Sequence, residues 1–343
     1  MEENTQNTTD VVIIGAGPVG LFTVFQLGML KLTSHVFDTL HDIGGQCTAL
    51  YPEKPIYDIP ALPEVNAIDL IAQLQKQIAP FKPIFHLGQQ VTEITKNEKD
   101  WLITSSTGIQ VRAKAIIIAA GAGAFGPNKP ALKNIGDYEG KGVYYSVSKR
   151  ESFKDKRLVI AGGGDSAVDW AISLADLAEK IYVVHRREKF RAIPENVAQM
   201  KSLSEAGKIE LLIPYQLESL EGDASGLKAV NIISFDQEKQ VKRIESDALL
   251  SFFGLSARLG PIAQWGLSIE NAQINVEPTT CATNIEGIFA VGDIAHYPHK
   301  LKLILTGFAE AAQAAHAAYT VVHPDKALHF QHSTSLGLPP TEA

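Results

Sequence analysis

The apolar positions fall into short runs whose order predicts an alternating fold. "DVVII" (10–14) is a β-branched run that stops at a glycine turn and opens into "PVGLFTVFQLG" (18–28), which has helical spacing. "RLVIA" (157–161) repeats this grammar through a second glycine turn into "DSAVDWAISLA" (165–175). Each unit is followed by a further strand, "HVFD" (35–38) and "IYVVH" (181–185). Two β-α-β units in tandem predict an α/β protein with two Rossmann-like parallel sheets rather than one large sheet.

The stretches between these units fix the expected organisation. Residues 41–63 carry four prolines and no clear period, the mark of a long functional loop. A helix is predicted over 66–79, followed by the alternating strands "QVTEI", "WLITS" and "IQVRA" and then the strand "AIIIAAGAG". "GAGAFGPNKP" (121–130) has linker composition. Beyond the second unit come a helix over 195–206 and strands near 209–213, 228–234 and 241–252. A second linker-like stretch, "EPTTCATNIEG", precedes "IFAVGDIA" and a final helix over 303–321. By composition the tail "HFQHSTSLGLPPTEA" is mobile. The final third supplies few strands of its own, and its Gly-Asp motif needs a neighbouring cofactor. The expected arrangement is therefore nested: one nucleotide domain at 1–122 and 286–343, with a second at 123–285 inserted into it.

Composition narrows the class without naming the chemistry. The chain has 343 residues, 45% hydrophobic and 20% charged, which suits two globular domains. A formal charge of −7 argues against a nucleic-acid partner. The polar, acidic first residues are no signal peptide, and no unbroken apolar run approaches the roughly 18 residues of a membrane span. Cys47 and Cys281 are the only cysteines, too few for a disulfide framework, a CxxC pair or a zinc site, so a reduced cytoplasmic setting and no metal are expected.

The chemistry lies in the glycine turns and in what closes the strand after each. Gly15, Gly17 and Gly20 form GxGxxG between strand and helix, a turn that lets a pyrophosphate approach the helix N-terminus. Asp38 follows about 20 residues later, where an acid can bind the ribose hydroxyls of an adenine dinucleotide. Gly162, Gly164 and Ala167 form GxGxxA in the second unit, but its strand ends in His185, Arg186 and Arg187, with Arg191 beyond. A carboxylate there would repel a 2′-phosphate, whereas guanidinium groups grip one with paired hydrogen bonds. The acid and the arginines thus predict two different dinucleotides, the second being NADPH or NADP+. Gly292 and Asp293, after the strand "IFAV", look like the second FAD motif of the two-dinucleotide-binding flavoproteins. FAD beside NADPH implies hydride transfer carried by the cofactors, with the protein supplying alignment. No CxxC lies near either motif to pass electrons on as a disulfide, and no hydrolytic constellation is present.

Over nearly its whole length the chain resembles the ferredoxin–NADP+ reductases of the thioredoxin reductase-like type. The resemblance rests on "GAGPVGL", "IGGQC", "LYPEKPIYD", "GGGDSAVDWA", "HRREKFRA", "LGPIAQWGL", "NIEGIFAVGDI" and "HSTSL". It implies a homodimer with one FAD per subunit, exchanging electrons between NADPH and a ferredoxin or flavodoxin. It also implies that Tyr51 stacks on one flavin face and His332 on the other, with Ser333 close to flavin N5, so that the tail is an ordered lid. Pro18, Gln46, Asp58, Val91, Asp293 and Thr334 match positions near FAD, and Asp165 and Ser166 match positions near NADPH. Asp38 stands where many relatives have Glu, and Cys47 where Leu is common. The stretches Lys149–Arg157 and 299–302 ("HKLK") are candidate docking patches, and 121–130 and 278–286 candidate hinges. Two other readings stay open: a flavin reductase of the same fold using a small disulfide or oxygen, and a flavin-bound redox sensor.

Overall fold

The computed structural model describes residues 7–236 and 239–328, together with 332, 334 and 337. The chain forms two compact units, Met1–Phe125 with Ala257–Ala343, and Gly126–Ser256.

The first unit is organised by the strand Thr8–Ile14, whose central residues Val11, Val12 and Ile13 have no exposed surface. Burial on both faces is what a parallel strand requires. It lies between Ser34–Phe37 and Gln110–Ile118, with Ile84–His86 outside the former, all parallel. Gln110–Ile118 is a single strand where the sequence suggested two, and it has two partners along one edge. Its opening half pairs antiparallel with Trp101–Ser105, and its closing half pairs parallel with Ile288–Ala290. Alternation then sorts the side chains. Val11, Ile13 and Ile117 pack with Leu21 and Val24 of the helix Pro18–Met29 and with Ala314, Ala315 and Ala318 of the helix Ile304–Val322. Val12, Ile14, Ile116 and Ile118 pack instead with Leu259, Ile262, Leu267 and Ile274.

That second face moves a boundary. The sequence set the return to the first domain at 285/286, but the unit resumes at Ala257. Residues 257–285 cover the sheet through short elements, chiefly Ile269–Glu270 and Gln273–Asn275, too brief to show a period. The expected hinge at 278–286 is a packed turn within this unit. Cys281 is fully buried, its N–H donates to Glu277 O, and the Glu277 carboxylate accepts from the Thr279 and Thr280 hydroxyls at 2.7 and 2.8 Å.

The second unit is a five-stranded parallel sheet in the order Val143–Tyr144, Ala248–Ser251, Arg157–Ala161, Lys180–Val184, Ile209–Leu212. The helices Asp165–Leu174 and Pro194–Glu205 contribute Val168, Ala171, Leu174 and Met200 to its core. Tyr215–Asp223, Gly226–Ser234 and Val241–Glu245 form a separate antiparallel sheet. The sequence reading missed the first of these strands and fused the third with Ala248–Ser251. They divide at Ser246, whose hydroxyl donates to Ala248 O at 2.8 Å and lies 3.2 Å from Arg157 O. Among the described residues no helix is long and apolar enough to cross a membrane, and no cluster of three or more His, Cys, Asp or Glu could hold a metal.

One polar pair inside the first unit makes stability depend on pH. His35, 4% exposed, has Nδ1 3.1 Å from His86 Nε2, and the His86 ring stacks on Phe37 at 4.3 Å. Burial, with His86 adding to it, lowers the His35 pKa from 6.5 to about 4. The unfolded chain therefore binds more protons between these values, so stability is complete above about pH 6.5 and falls toward pH 4, by on the order of 3 kcal/mol. Urea unfolding midpoints at several pH values should show this slope, and His35→Gln should flatten it.

Candidate active site

In the first unit, the glycine turn is made by backbone geometry that side chains would obstruct. Gly15 has φ +116°, and a Cβ there would lie 2.3 Å from Ala119 O. A Cβ on Gly20 would lie 1.9 Å from Gly15 O, so this glycine seats the helix on the turn. Gly17 differs: a Cβ there would meet nothing within 4 Å, because it faces a cavity. Gly17 caps the helix Pro18–Met29 with proline at its first position and no acid in its first turn, leaving N–H groups and the positive end of the helix dipole toward that space.

Asp38 closes the neighbouring strand on the same cavity. Its Oδ2 accepts the Ala16 N–H at 2.6 Å and its Oδ1 the Leu40 N–H at 2.8 Å. Burial raises its pKa, while the backbone N–H bonds of Leu40, Ala16 and Thr39 oppose that shift. A carboxylate offers about four lone-pair sites, so acceptor capacity remains for a pair of hydroxyls.

The far wall comes from the end of the chain. Asp293 lies on a short 3-10 turn, Gly292–Ile294, in which Gly292 has φ +73°. The Gly292 N–H donates to Glu310 Oε2 at 2.7 Å, and the Gln273 side chain donates to the Asp293 carbonyl at 2.8 Å. Glu310, 1% exposed on the helix Ile304–Val322, also accepts the Tyr297 hydroxyl at 2.8 Å and forms an ion pair with Lys300. Gly307 lets that helix approach: a Cβ there would fall 2.4 Å from Val19 Cγ2 and 3.3 Å from Gly292 Cα. Lys302, Leu303 and Ile304 at the helix start line the cavity, so a second helix N-terminus opens onto it.

Tyr51 and Cys47 occupy the remaining side. Cys47 sits on the short helix Gln46–Ala49 at 1% exposure and is hydrogen-bonded to Tyr51. Burial pushes the Cys47 thiol up to about 11 and raises the Tyr51 hydroxyl as well, and the Asp293 charge adds to both. Cys281 is fully buried and pushed up to about 12, burial again dominating. A thiol reagent such as 5,5′-dithiobis(2-nitrobenzoate) should therefore leave both cysteines unmodified in the native protein and titrate two after unfolding.

Of the residues singled out for this site, Gly15, Gly17, Pro18, Asp38, Gln46, Tyr51, Val91 and Asp293 line one cavity, while Gly20 lies beneath its turn. Asp58 is exposed and outside the lining. His332 and Thr334 are exposed and also outside it, and Ser333 lies outside the described residues. The sequence reading gave no site role to Gln89 and Gln90, nor to Leu259, Pro261 and Ile262 of "LGPIAQWGL", all of which also line the cavity. Lys302 is a lining residue and Lys300 is committed to Glu310, so "HKLK" is not a free basic patch. The other patch is partly neutralised: Arg157 pairs with Asp247 and Glu245, and Arg150 with Asp176.

The second unit carries the second glycine turn. Gly162 has φ +152°, and a Cβ there would lie 2.5 Å from Phe252 O. Gly164 faces open space and caps the helix Asp165–Leu174. His185 packs against Gly163, where a Cβ would fall 2.1 Å from the ring. Its pKa is lowered by burial first, with the charges of Arg187, Arg191 and Arg186 adding to that effect and a bond to the Lys189 backbone opposing it. Those arginines are exposed, as are Asp165 and Ser166.

Comparison with known proteins identifies the family and the fold. The family model described as pyridine nucleotide-disulphide oxidoreductase matches residues 9–319. The chain is 56% identical over 335 residues to a ferredoxin–NADP reductase of Paramagnetospirillum magneticum, covering 97% of this chain and 99% of that one. It is 55% identical over 343 residues to one of Rhodospirillum rubrum, covering 99% of each. Among solved structures, thioredoxin reductase of Lactococcus lactis matches with a TM-score of 0.75 at 24% identity, covering 92% of this chain and 99% of that one. The thioredoxin reductase of T. acidophilum matches at 0.76 and 22% identity, covering 92% and 98%. These two establish a shared fold. The chain belongs to the pyridine nucleotide-disulphide oxidoreductase family, and within it to the ferredoxin–NADP reductases.

Proposed function

We propose that this protein is a flavoenzyme that moves electrons between NADPH and a ferredoxin. The observation that carries it is the contrast between the two strand ends: Asp38 on the cavity in one unit, and the exposed Arg186, Arg187 and Arg191 following His185 in the other. The cavity lining fits FAD, since Gly17 leaves room for a pyrophosphate and two helix N-termini without acids in their first turns open onto it. When bound, FAD supplies the capacity to take a hydride from nicotinamide and release electrons singly.

The chain's own residues bind and orient. In this reading Gly15, Gly17, Pro18 and Gly20 hold the pyrophosphate, Asp38 the adenosine ribose, and Asp293 the ribitol. Tyr51, Gln46 and Val91 line the cavity and would hold the isoalloxazine ring, Tyr51 offering its aromatic face. Cys47 fixes the Tyr51 hydroxyl by hydrogen bonding, and its high pKa keeps it from acting as a thiolate. On the NADPH side Gly162, Gly164 and Ser166 receive the pyrophosphate, and the arginines take the 2′-phosphate. His332, Ser333 and Thr334 complete the reading as residues that cover the flavin from the tail. A flavodoxin is an alternative acceptor, and the working form is a cytoplasmic homodimer.

The test is an anaerobic titration of the purified yellow protein with NADPH, then with oxidised ferredoxin. Bleaching of the flavin by NADPH at far lower concentration than by NADH, followed by reoxidation on adding ferredoxin, is expected. Bleaching without reoxidation would leave the donor and remove the acceptor. Light scattering on a sizing column checks the dimer.

A further inference from the structure

The second glycine turn poses a physical question that the proposed function does not answer. The helix Asp165–Leu174 opens on an acid at its first position, where its dipole should face the phosphates of a nucleotide. An exposed carboxylate beside an anion-binding turn ought to oppose the ligand unless it has another task. Its geometry supplies one. Asp165 Oδ1 accepts the Ile193 N–H at 3.0 Å, reaching across to the end of the segment that carries the arginines.

That segment is held at three further points. The Arg191 N–H donates to Gly163 O at 2.7 Å, joining it to the glycine turn itself. The Phe190 ring, 6% exposed, lies 4.9 Å from His185, which is packed on Gly163. Asn196 Nδ2 donates to Asp169 Oδ1 at 2.8 Å, one turn further along both helices. The guanidinium groups of Arg186, Arg187 and Arg191 are exposed on this frame. A loop held in its binding conformation before the ligand arrives loses less entropy when it binds.

We propose that Asp165 is a positioning residue for phosphate selectivity: through the Ile193 amide it holds the arginine segment over the glycine turn, so that the 2′-phosphate meets a preformed cationic cradle. This rests on the NADPH reading above and assigns Asp165 to the loop rather than to the nucleotide. It separates two jobs at adjacent residues, since Gly164 leaves space for the pyrophosphate while Asp165 holds the segment that recognises the other end of the adenosine.

Calorimetric titration of the FAD-loaded protein with adenosine 2′,5′-bisphosphate, and with adenosine 5′-monophosphate as the probe lacking the 2′-phosphate, tests it. Asp165→Ala is expected to weaken binding of the bisphosphate about tenfold, the scale of a lost charge-assisted hydrogen bond. Asp165→Asn keeps an oxygen for the same N–H and should stay within about twofold. Ile193→Pro removes the donor at φ −53°, an angle proline adopts, and should reproduce the alanine loss with Asp165 intact. The monophosphate should change by no more than about twofold in all three. Equal losses for both probes, an unchanged Asp165→Ala, or an asparagine variant as weak as alanine would each overturn the proposal. The paired change Arg186→Ala with Arg187→Ala separates the layers. If it leaves bisphosphate binding intact, the NADPH reading fails and this inference with it. If it weakens binding while Asp165→Ala does not, the inference alone fails.

Discussion

Replacing Arg186 and Arg187 together with alanine is expected to raise the Michaelis constant for NADPH about a hundredfold and leave that for NADH nearly unchanged. Hydrogen bonds to a charged group contribute about 1.5–3 kcal/mol each, so two such contacts removed from a 2′-phosphate give about a hundredfold at the lower end of that range. NADH has no phosphate there, so it has nothing to lose. The strand end itself should survive, because both side chains are exposed and the backbone is held elsewhere: the His185 N–H donates to Leu212 O and the Arg191 N–H to Gly163 O. The loss should shrink as salt rises, since the wild-type advantage is partly screened. Steady-state kinetics with both donors at low and moderate ionic strength measures all three points. An enzyme that keeps its NADPH advantage would show that the phosphate is read by other residues.

Glu310→Ala is expected to be the most damaging single change in the first unit. Glu310 and Lys300 are both nearly fully buried, with the Lys300 side chain 4% exposed, and removing one partner leaves the other charge stranded. Breaking a buried pair in this way costs about 3–5 kcal/mol. The Gly292 N–H and the Tyr297 hydroxyl lose their acceptor in the same step, so the turn that presents Asp293 loosens. Lower unfolding midpoints in urea, together with flavin shed during desalting, are the expected signs. Combining Glu310→Gln with Lys300→Met keeps acceptor atoms and removes both charges, and should recover most of the stability. If the alanine variant unfolds at the wild-type midpoint, the pair carries little of the turn's rigidity.

The two sites were unequally legible in the sequence, for a physical reason. Gly15, Gly20 and Gly162 stand where backbone meets backbone, and Asp38 and Arg186 stand at strand ends at set distances from them, so spacing alone located them. The Glu310 network left no such trace, because an acid within "FAEAAQAA" has the same spacing whether it faces solvent or the core. Only the ion pair with Lys300 and the bond to Gly292 distinguish it. That Leu259 and Ile262 pack on the first sheet was illegible for a different reason. They reach the sheet from a 3-10 turn, Gly260–Gln264, too short for any periodicity, and this is why the boundary was set near residue 285 rather than 257. Tyr215–Asp223 escaped because its sequence, YQLESLEGD, buries little more than Leu217.

The double use of the strand Gln110–Ile118 bears on how the chain is made. Its final pairing brings Ile116 beside Ile288, contacts far apart in sequence, whereas every strand of the inserted parallel sheet lies within residues 143–251. During synthesis from the N-terminus, the inserted unit has all of its strands as soon as Ser251 has emerged. The first sheet then still lacks Ile288–Ala290, and long-range parallel pairing is the slow kind. The unit that begins first in sequence is therefore completed last, and until Ile288 arrives the edge of Ile116–Ile118 that it will pair with has no strand beside it.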